Sequence, residues 1–515
     1  PRLGKLLLER ERTAPRLFHA WKLVVALENI CRMEVRGRDS CGICTRITLP
    51  DAQYKEFLNS LDSEQQKIWE RRQEPQDFVN LAVRVFPVAN RVETVFSYKI
   101  AQEVGALGDN VRALYEDIAN DSLFWDLVDF EQSASIVYSH SRWASNGIIS
   151  EPNCHPVDEV TVTEEGVTSN LSGHITTACV NGDVDNYQAL KARLYGEKKH
   201  AISDNIGTDA KIVPVLFDAM LAEEEDPEKA FCRMVGECEG SFAIVLETTA
   251  APDRLYLALK GSGQSLFVGL MENGYVFASE LYGVVEQTPH FIRMDGTAEH
   301  VPGRPETAGQ ILILSREGKG QWDAIKALSV TGEPIKLAEK DCKSAEITTR
   351  DIDRKDFHHY LHKEISEAPG SVEKTLRGKY SLSREPFEVR MNLGDSVIPT
   401  RVLERLKSGE IKQVLFIGQG TAAVAGQAVS VYMEQIFAGR LAVGAMKATE
   451  LSGYRMRHDL SDTLIIAISQ SGTTTDTNRT IDMARERGAA VVGIVNRRNS
   501  DLTFKVDGVL YTSDG

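Results

Sequence analysis

The sequence predicts a multidomain protein of α/β and α+β class, in which the last part of the chain forms a doubly wound parallel sheet. A length of 515 residues allows roughly two to four domains, each large enough to bury a core. From residue 413 onward, short β-branched runs alternate with helical segments, as in a parallel sheet with helices on its faces. Before residue 340, a series of polar turns separates apolar segments.

Each element of the α/β part has its own sequence signal. The apolar run at 413–418 predicts a strand, and Thr421 then opens an apolar helix that runs to about Phe437. The further predicted elements are a strand at 441–446, a strand that ends near residue 469, a helix with Met483 on its apolar face, and strands at 490–495 and 506–511. Ligands of such sheets bind at the carboxyl ends of the strands.

The segment 464–477, LIIAISQSGTTTDT, carries the clearest chemical signal. Its apolar half is typical of a strand buried on both faces. Its polar half, with Ser469, Gln470, Ser471 and Thr474, lies where this strand ends and a helix begins. Free backbone N–H groups and the helix dipole add to the side-chain donors there, so the segment predicts a phosphate site. The absence of Lys and Arg from it argues against a nucleotide P-loop, and the alternative is an ordinary polar loop.

Composition excludes several classes of function. The formal net charge of −15 argues against nonspecific nucleic-acid binding and against contact with anionic membranes, since both require a basic face. No apolar run approaches the roughly 20 residues that a spanning helix requires, and the chain has no N-terminal signal pattern. Eight cysteines spread over a long chain fit reduced thiols better than disulfides. We therefore expect a cytoplasmic protein.

Two groups of residues have metal-ligand chemistry. Cys41 and Cys44 have CxxC spacing, but no second pair accompanies them. His358, His359 and His362 include an i, i+4 pair, which lacks the glutamate of an HExxH site. We expect neither group to bind a metal, and the sequence implies no organic cofactor.

An ordered series of polar segments marks the first half of the chain. Its members are HSRWASNG at 140–147, NCHP at 153–156, CVNGDVDNY at 179–187 and GTD at 207–209. Each is weak alone, because Arg142 could be a structural ion-pair residue and Asn181-Gly182 is most often a hairpin turn. It is the order of the four segments along the chain that makes them a specific signal.

In this order the segments resemble the class II glutamine amidotransferases, specifically the glutaminase half of the glutamine:fructose-6-phosphate aminotransferase family. RGRDSCGI at 36–43 resembles the RGYDSAGI segment of that family, and FHHYLHKEISEAP at 357–369 resembles its YRHYMQKEIYEQP stretch. The SQSG turn at 469–472 resembles the sugar isomerase (SIS) family, whose members bind phosphosugars. The resemblance implies an αββα glutaminase domain of the N-terminal-nucleophile type, followed by a doubly wound SIS domain.

The resemblance also implies residues of a glutamine site. Arg142 matches the arginine that clamps the α-carboxylate of glutamine, and Asp209 matches the carboxylate that receives its α-ammonium. The side-chain amide of Asn181 and the backbone N–H of Gly182 match an oxyanion hole. The surrounding substrate shell comprises Trp143, Ser145, Asn146 and His155, with Ser145 and Asn146 standing where the family usually has Thr and His.

A second set of residues is implied to bind a sugar phosphate. This set is Gly420, Thr421, Ser469, Gln470, Ser471 and Thr474. Ala422 stands where the family has a serine that faces the sugar, and Thr473 replaces the glutamate of its SQSGET pattern. The phosphate-binding loop is retained, whereas these departures put specificity for fructose 6-phosphate in question.

The matched segments suggest domain bounds. We predict a glutamine amidotransferase domain at 1–340, in which 46–135 is an enlarged insertion with added helices at 52–71 and 104–118. Residues 341–397 are predicted to form a linker and the first helical segment of the isomerase half. Residues 398–515 are predicted to form an incomplete first SIS subdomain. Because SIS sheets commonly pair, the resemblance implies a homodimer through this half.

The nucleophile is the missing part of the pattern. Class II amidotransferases use an N-terminal cysteine whose own α-amine acts as base. This chain begins at Pro1, and Cys41 stands at an alanine position of the matched segment. We therefore expect the nucleophile upstream of Pro1, and a fragment that binds glutamine poorly and does not hydrolyse it. The alternative is cleavage after Ser40, which would make Cys41 the N-terminus.

The implied reaction uses glutamine to aminate and isomerise fructose 6-phosphate to glucosamine 6-phosphate, with ammonia passing between the domains away from water. Two alternatives remain open. One is a phosphosugar-binding regulatory protein that has lost catalysis, and the other is a glutaminase that feeds ammonia to another acceptor.

Overall fold

The chain divides into two units, Pro1–Lys343 and Ser344–Gly515, in the computed structural model. The structure describes all residues except 1, 34–36, 38, 75–76, 102–107, 144–146, 262, 300–302, 346–356 and 513–515. Every helix within the described residues is too short or too polar to span a lipid bilayer.

The described helices of the first unit are α1 (Arg2–Leu7), α2 (Ala14–Met33), α3 (Asp51–Ser60), α4 (Ser63–Arg72), α5 (Asp109–Asn120), α6 (Ser122–Leu127), α7 (Tyr187–Lys198), α8 (Ile212–Glu224) and α9 (Pro227–Glu237). Its strands are β1 (Ser40–Pro50), β2 (Val83–Val88), β3 (Arg91–Ile100), β4 (Ala134–Arg142), β5 (Val157–Asp158), β6 (Thr161–Thr163), β7 (Thr168–Ser169), β8 (Thr176–Val184), β9 (His200–Ala201), β10 (Gly240–Thr248), β11 (Arg254–Lys260), β12 (Phe267–Met271), β13 (Gly274–Ala278), β14 (His290–Arg293), β15 (Gln310–Ser315), β16 (Lys326–Ser329), β17 (Pro334–Ile335) and, at the unit boundary, β18 (Cys342–Ser344).

Two antiparallel sheets pack face to face in the first unit. The first has the strand order β2-β3-β1-β4, and the second has the order β17-β16-β15-β11-β10-β8-β5. Cys44 and Tyr138 of the first sheet share one buried cluster with Cys179, Val245 and Leu257 of the second. The inner faces of the two sheets therefore form a common core.

Helices cover the outer face of each sheet. Ile43 of β1 packs in one cluster with Leu27 of α2, and Val180 of β8 packs in another with Phe231 of α9. The layer order is thus helices, sheet, sheet, helices. Two smaller sheets, β13-β12-β14-β18 and β7-β6-β9, complete the described part of this unit.

Residues 46–135, which the sequence suggested as an insertion, contribute to the first sheet and to its helical cover. Strand β3 pairs with β1 along its whole length. The helix predicted at 52–71 is two helices, because Asp62 caps α4 through a capping box with Gln65. The helix predicted at 104–118 is α5, which begins at Asp109, and the residues just before it lie outside the described part of the chain.

A buried ion pair joins the two sheets of the first unit. Arg46 of β1 is 1% exposed, and its Nε lies 3.0 Å from Oε2 of Glu247 on β10. The Arg46 guanidinium also donates to the carbonyl oxygens of Thr248 and Pro252, at 3.0 and 2.6 Å. Burial raises the pKa of Glu247, and the Arg46 charge opposes that rise. The positive charge of Arg46 therefore favours the ionised form of the Glu247 carboxyl group.

Helix α2 holds the start of β4. The ring nitrogens Nδ1 and Nε2 of His19 each lie 2.9 Å from a serine hydroxyl, on Ser135 and Ser133 respectively. Lys22 donates a hydrogen bond of 2.7 Å to the carbonyl of Ser135. These contacts fix the strand whose last residue is Arg142.

The helices of the second unit are α10 (Tyr360–Leu376), α11 (Thr400–Lys407), α12 (Thr421–Phe437), α13 (Ala448–Glu450), α14 (Thr475–Glu486) and α15 (Asp501–Lys505). Its strands are β19 (Tyr380–Arg384), β20 (Phe387–Met391), β21 (Gln413–Gly418), β22 (Ala442–Lys447), β23 (Thr463–Ser469), β24 (Ala490–Val495) and β25 (Gly508–Tyr511).

The predicted doubly wound parallel sheet is confirmed. Strands β21 to β25 are all parallel and have the order β22-β21-β23-β24-β25. On one face Ile417 packs with Ile481 of α14, and on the other Phe416 packs with Met433 of α12. The strand predicted at 506–511 begins only at Gly508, because α15 ends at Lys505 and two connecting residues follow it.

We expect Arg46→Met to lower the free energy of unfolding by about 3–5 kcal/mol, because it leaves Glu247 buried without its counter-ion. Chemical denaturation measures this loss. The control is Arg91→Met, since Arg91 pairs with Asp253 at 3.3 Å while both side chains are 38% exposed. Such a surface pair contributes at most about 1 kcal/mol. Equal losses in the two variants would contradict the inter-sheet role of Arg46.

A second prediction concerns acid stability. Burial lowers the pKa of His19 from 6.5 to about 3, and the charges of Lys22 and Arg316 add to this effect. As the pH falls from 6.5 towards about 3, His19 becomes protonated in the unfolded chain but stays neutral in the folded chain. The free energy of unfolding therefore decreases over this range. His19→Gln should therefore lose less stability than wild type between these pH values, by up to about 1.4 kcal/mol per pH unit. Urea denaturation at a series of pH values gives both slopes, and identical slopes would refute the assignment.

Candidate functional site

Arg142 and Asn181 lie on the inner faces of the two packed sheets. Tyr138 of β4 and Cys179 of β8 belong to the core between the sheets, and every second residue of a strand points to the same side. Arg142 and Asn181 are therefore directed into the space between the sheets, one from each. Arg142 ends β4 and is 5% exposed, so its guanidinium is available only to this interior.

Asp209 is held against the end of β8. Its Oδ2 accepts a hydrogen bond of 2.8 Å from the backbone N–H of Val184, the last residue of that strand. Burial raises the pKa of Asp209, and this hydrogen bond opposes the rise. Burial also lowers the pKa of Arg142, an effect that the negative charge of Asp209 helps to offset. The two opposite charges are thus close enough to influence each other.

Two histidines lie beside these charges. The ring centroids of His140 and His155 are 4.5 Å apart, and His155 Nε2 lies 3.5 Å from Oγ1 of Thr208, the residue before Asp209. Burial lowers the pKa of His140 to about 4 and that of His155 well below its ordinary value, and the charge of Arg142 adds to both effects. Both rings are therefore neutral near pH 7.

Asn181 and Gly182 lie within β8, so the hairpin-turn alternative is wrong. They pair with Ala243 and Phe242 of β10. Gly182 has a φ of 105°, and a Cβ there would lie 2.2 Å from the carbonyl oxygen of Ser241. Only glycine fits this close approach of two strands. Their assignment to an oxyanion hole stays a prediction.

Of the remaining residues of the predicted glutamine site, the structure describes only Trp143. Trp143 follows β4 directly and is 70% exposed. Ser145 and Asn146 lie outside the described residues. Arg142, His155 and Asp209 are thus brought together, while Trp143 lies at the surface.

Sequence reasoning assigned no role to Asn153, which the structure places between two loops of this site. Asn153 is fully buried, and its side chain bonds to residues on the segment 205–208. Its partner Gly207 is 54 residues away along the chain, so no local spacing pattern could have identified it.

The CxxC cysteines point to opposite faces of β1. Cys41 lies in the core under the outer helices, and Cys44 lies in the core between the sheets. Spacing of three residues in a strand separates two side chains in this way. Within the described part of the chain, no group of three or more His, Cys, Asp or Glu side chains is arranged to hold a metal ion.

In the second unit, the predicted phosphate loops follow the carboxyl ends of the neighbouring strands β21 and β23. From β21 the chain continues to β22 on one side, and from β23 it continues to β24 on the other, which defines a topological switch point. Gly420 and Thr421 begin α12 at this edge. The Nε2 of Gln419 donates to Oδ2 of Asp476 on α14 at 3.2 Å, so this bond joins the two loops.

The loop after β23 is closed by its own side chains. Ser469 ends β23, is 6% exposed, and accepts a hydrogen bond of 2.9 Å from the N–H of Gly472 through its hydroxyl. Gly472 has a φ of 67°, and a Cβ there would lie 1.9 Å from Oγ of Ser500. The loop therefore requires glycine at this position and packs tightly on the turn before α15.

The same loop presents hydrogen-bond donors. The hydroxyl of Ser471 accepts from the N–H of Thr473 at 3.3 Å, which leaves its own proton to donate. Thr474 precedes α14 without a side-chain bond to the helix, and Gln470 is exposed. The first N–H groups of α14 have no intrahelical partners. Sequence reasoning missed Arg497, whose N–H donates to the Gln470 carbonyl at 3.1 Å and which brings a basic residue to the loop.

Comparison with known proteins identifies a domain in the second unit and relatives that match most of the chain. The SIS domain model matches residues 410–515. The glutamine–fructose-6-phosphate aminotransferase [isomerizing] of Chlorobaculum tepidum is 29% identical over 386 residues, which are 74% of this chain and 54% of that protein. The protein of the same name from Pyrococcus horikoshii is 27% identical over 399 residues, 77% of this chain and 56% of that protein.

A solved structure, the C-terminal domain of glucosamine-fructose-6-phosphate aminotransferase from Francisella tularensis, is 24% identical, with a TM-score of 0.26, and covers 32% of this chain and 42% of that one. The chain spans about half the length of the curated relatives it matches. The resemblance predicted from the motifs is confirmed by these relatives. Residues 410–515 match the SIS domain model, and the chain is similar to glutamine–fructose-6-phosphate aminotransferases over 74% to 77% of its length.

Proposed function

We propose that the protein is a glutamine-dependent aminotransferase that delivers ammonia to a ketose phosphate and isomerises the product, with fructose 6-phosphate as substrate and glucosamine 6-phosphate as product. The observation that carries this proposal is the convergence of Arg142, His155 and Asp209 at the ends of β4 and β8 in a chain that also has a SIS domain. One unit then supplies nitrogen and the other holds the acceptor.

The chemistry of the first unit fits an α-amino acid. A planar guanidinium at Arg142 can pair with a carboxylate in a bidentate manner, and the carboxylate of Asp209 can receive an ammonium group. Both side chains are 5% exposed, so little water competes for these contacts. Asn181, directed inward from the facing strand, is suited to donate to an oxyanion as the amide C–N bond of glutamine breaks. We infer that this unit is a glutaminase domain of the N-terminal-nucleophile type.

The chemistry of the second unit fits a phosphorylated sugar. Ser471, Thr474 and the start of α14 offer neutral donors at a strand end, which can hold a phosphate without a P-loop lysine. Apolar side chains on the outward face of α12, including Val424, Val431 and Tyr432, are 58% to 66% exposed. This exposed apolar face supports the inferred homodimer through the SIS half.

A second candidate function is a phosphosugar-binding regulatory protein without catalysis. Cys41 supplies no nucleophile in the uncleaved chain, because this cysteine is 2% exposed inside β1 and pairs with Ile100 and Ser141. Ala422 and Thr473 also depart from the family pattern around the sugar. The full-length gene product, supplied with glutamine and fructose 6-phosphate, distinguishes the candidates.

Formation of glucosamine 6-phosphate by that product would establish the aminotransferase. Ammonia without amino sugar would indicate another acceptor. Binding of fructose 6-phosphate with neither product would support the regulatory protein.

The phosphate loop can be tested by the double variant Ser471→Ala and Thr474→Val. Loss of two hydroxyl donors should weaken fructose 6-phosphate binding at least about tenfold, since each hydrogen bond to a charged group contributes about 1.5–3 kcal/mol. Isothermal titration calorimetry measures the affinity. Ser408→Ala is the control, because its hydroxyl bonds to the Arg405 carbonyl after α11, before the sheet begins. Unchanged affinity in the double variant would remove the loop from the site.

The amino-acid clamp can be tested by Arg142→Ala in the full-length protein. Loss of the carboxylate partner should raise the KM for glutamine about tenfold to a hundredfold, and Arg142→Lys should restore it only partly, because lysine lacks the planar fork. Glutaminase assays over a range of glutamine concentrations give these values. Arg112→Ala, a change at a side chain that is 68% exposed, serves as control. A KM equal to that of wild type would place the pocket elsewhere.

A further inference from the structure

We propose that Asn153 is a positioning residue that holds the two loops of the amino-acid pocket in register. This proposal rests on the function proposed for the first unit. Asn153 would fix the segment 205–208, which precedes Asp209, against the chain at Ser150. Asn153 itself does not touch the substrate.

The side chain of Asn153 uses its hydrogen-bonding capacity on both sides. Its Oδ1 accepts from the N–H of Gly207 at 2.8 Å and from the N–H of Thr208 at 2.9 Å. Its Nδ2 donates to Oγ of Ser150 at 2.8 Å and to the carbonyl of Asn205 at 3.2 Å. A side-chain amide has two donor hydrogens and one acceptor oxygen, so all of its groups are satisfied by these two loops.

The contacts of Asn153 lie next to both charges of the pocket. Thr208 is the residue before Asp209. The hydrogen bond from the Thr208 N–H to Asn153 therefore fixes the chain next to the carboxylate that accepts from Val184. On the other side, Nη1 of Arg142 lies 3.5 Å from the carbonyl of Ile148, in the loop that leads to Asn153. One buried amide therefore links the segment 148–150, which contacts Arg142, to the segment 205–208, which precedes Asp209.

The other end of the Asp209 turn has a separate anchor. Nζ of Lys211 lies 2.5 Å from Oδ1 of Asp158, and Nη1 of Arg84 lies 3.2 Å from Oδ2 of the same carboxylate. Burial alone raises the pKa of Asp158, but these two cations lower it overall. Since Lys211 holds the turn from one side, loss of Asn153 should release only residues 205–208 and leave the fold intact.

The energetic consequence follows from burial. Asn153 is 0% exposed and Thr208 is 4% exposed, so removal of the amide leaves the N–H of Thr208 buried without a partner, whereas Gly207 is exposed. We expect the segment 207–208 to shift until the Thr208 N–H finds water, and Asp209 to shift with it. Displacement of a binding group by about 1 Å can cost a factor of about a hundred.

The test compares Asn153→Ala with Asn170→Ala. Asn170 is a matched control, because its Nδ2 donates to Glu159 and to the His174 carbonyl and its Oδ1 accepts from Gly173, in the loop before β8. In the full-length protein, we expect Asn153→Ala to weaken glutamine binding about tenfold or more and Asn170→Ala to leave it unchanged, by calorimetry with D-glutamine as the negative ligand. Equal affinity in both variants would overturn the proposal.

Hydrogen exchange provides a readout that does not depend on glutamine. The amides of Gly207 and Thr208 should exchange faster in Asn153→Ala than in wild type and remain protected in Asn170→Ala. If wild type bound no glutamine, the proposed function of the first unit would fail, and unaltered exchange in Asn153→Ala would separately refute the positioning role.

A third variant covers the case in which Asn153→Ala does not fold. Asn153→Asp retains an oxygen that accepts from the N–H groups of Gly207 and Thr208 but loses the donor to the Asn205 carbonyl, so protection at 207–208 is expected to lie closer to wild type than in Asn153→Ala. Loss of that protection in a folded Asn153→Asp protein would overturn the proposal.

Discussion

The first unit depends on the packing of two antiparallel sheets against each other. Arg46 crosses this interface and meets Glu247 at 3.0 Å in a place that water does not reach. A charge buried there is stable only when its partner and its hydrogen bonds are complete. The pair therefore selects one alignment of β1 against β10. The same packing directs Arg142 of β4 and Asn181 of β8 into the space between the two sheets.

The environment of the candidate pocket follows from that packing. A guanidinium, a carboxylate and two neutral imidazoles lie in a region of low exposure, where electrostatic interactions are stronger than in water. Burial lowers the pKa of both histidines and raises that of Asp209. The charged groups of the proposed amino-acid ligand would meet protein charges of the opposite sign in this region of low exposure. In the second unit no such burial is needed, because neutral donors at a strand end and a helix start can hold a phosphate near the surface.

Much of the second unit was predictable, because its elements are local. The buried runs at 413–418 and 464–469 have the period and length of parallel strands, and the observed strands β21 and β23 end where those runs end. The helical segment predicted at 52–71 is confirmed, but the capping interaction of Asp62 divides it into α3 and α4. The sequence signal of that capping interaction is weaker than the helical periodicity on both sides of it.

The sequence by itself determined the parallel sheet, its loop of hydroxyl donors and the identities of Arg142, Asp209 and Asn181, because these features are contained in short segments. The tertiary structure decided which of them meet. Asp209 bonds to Val184 and Asn153 bonds to Gly207 across 25 and 54 residues of chain. It also placed Trp143 at the surface and turned Cys41 away from Cys44. Contacts of this kind depend on sheet order and strand register, which arise from burial summed over the whole unit and leave no local pattern.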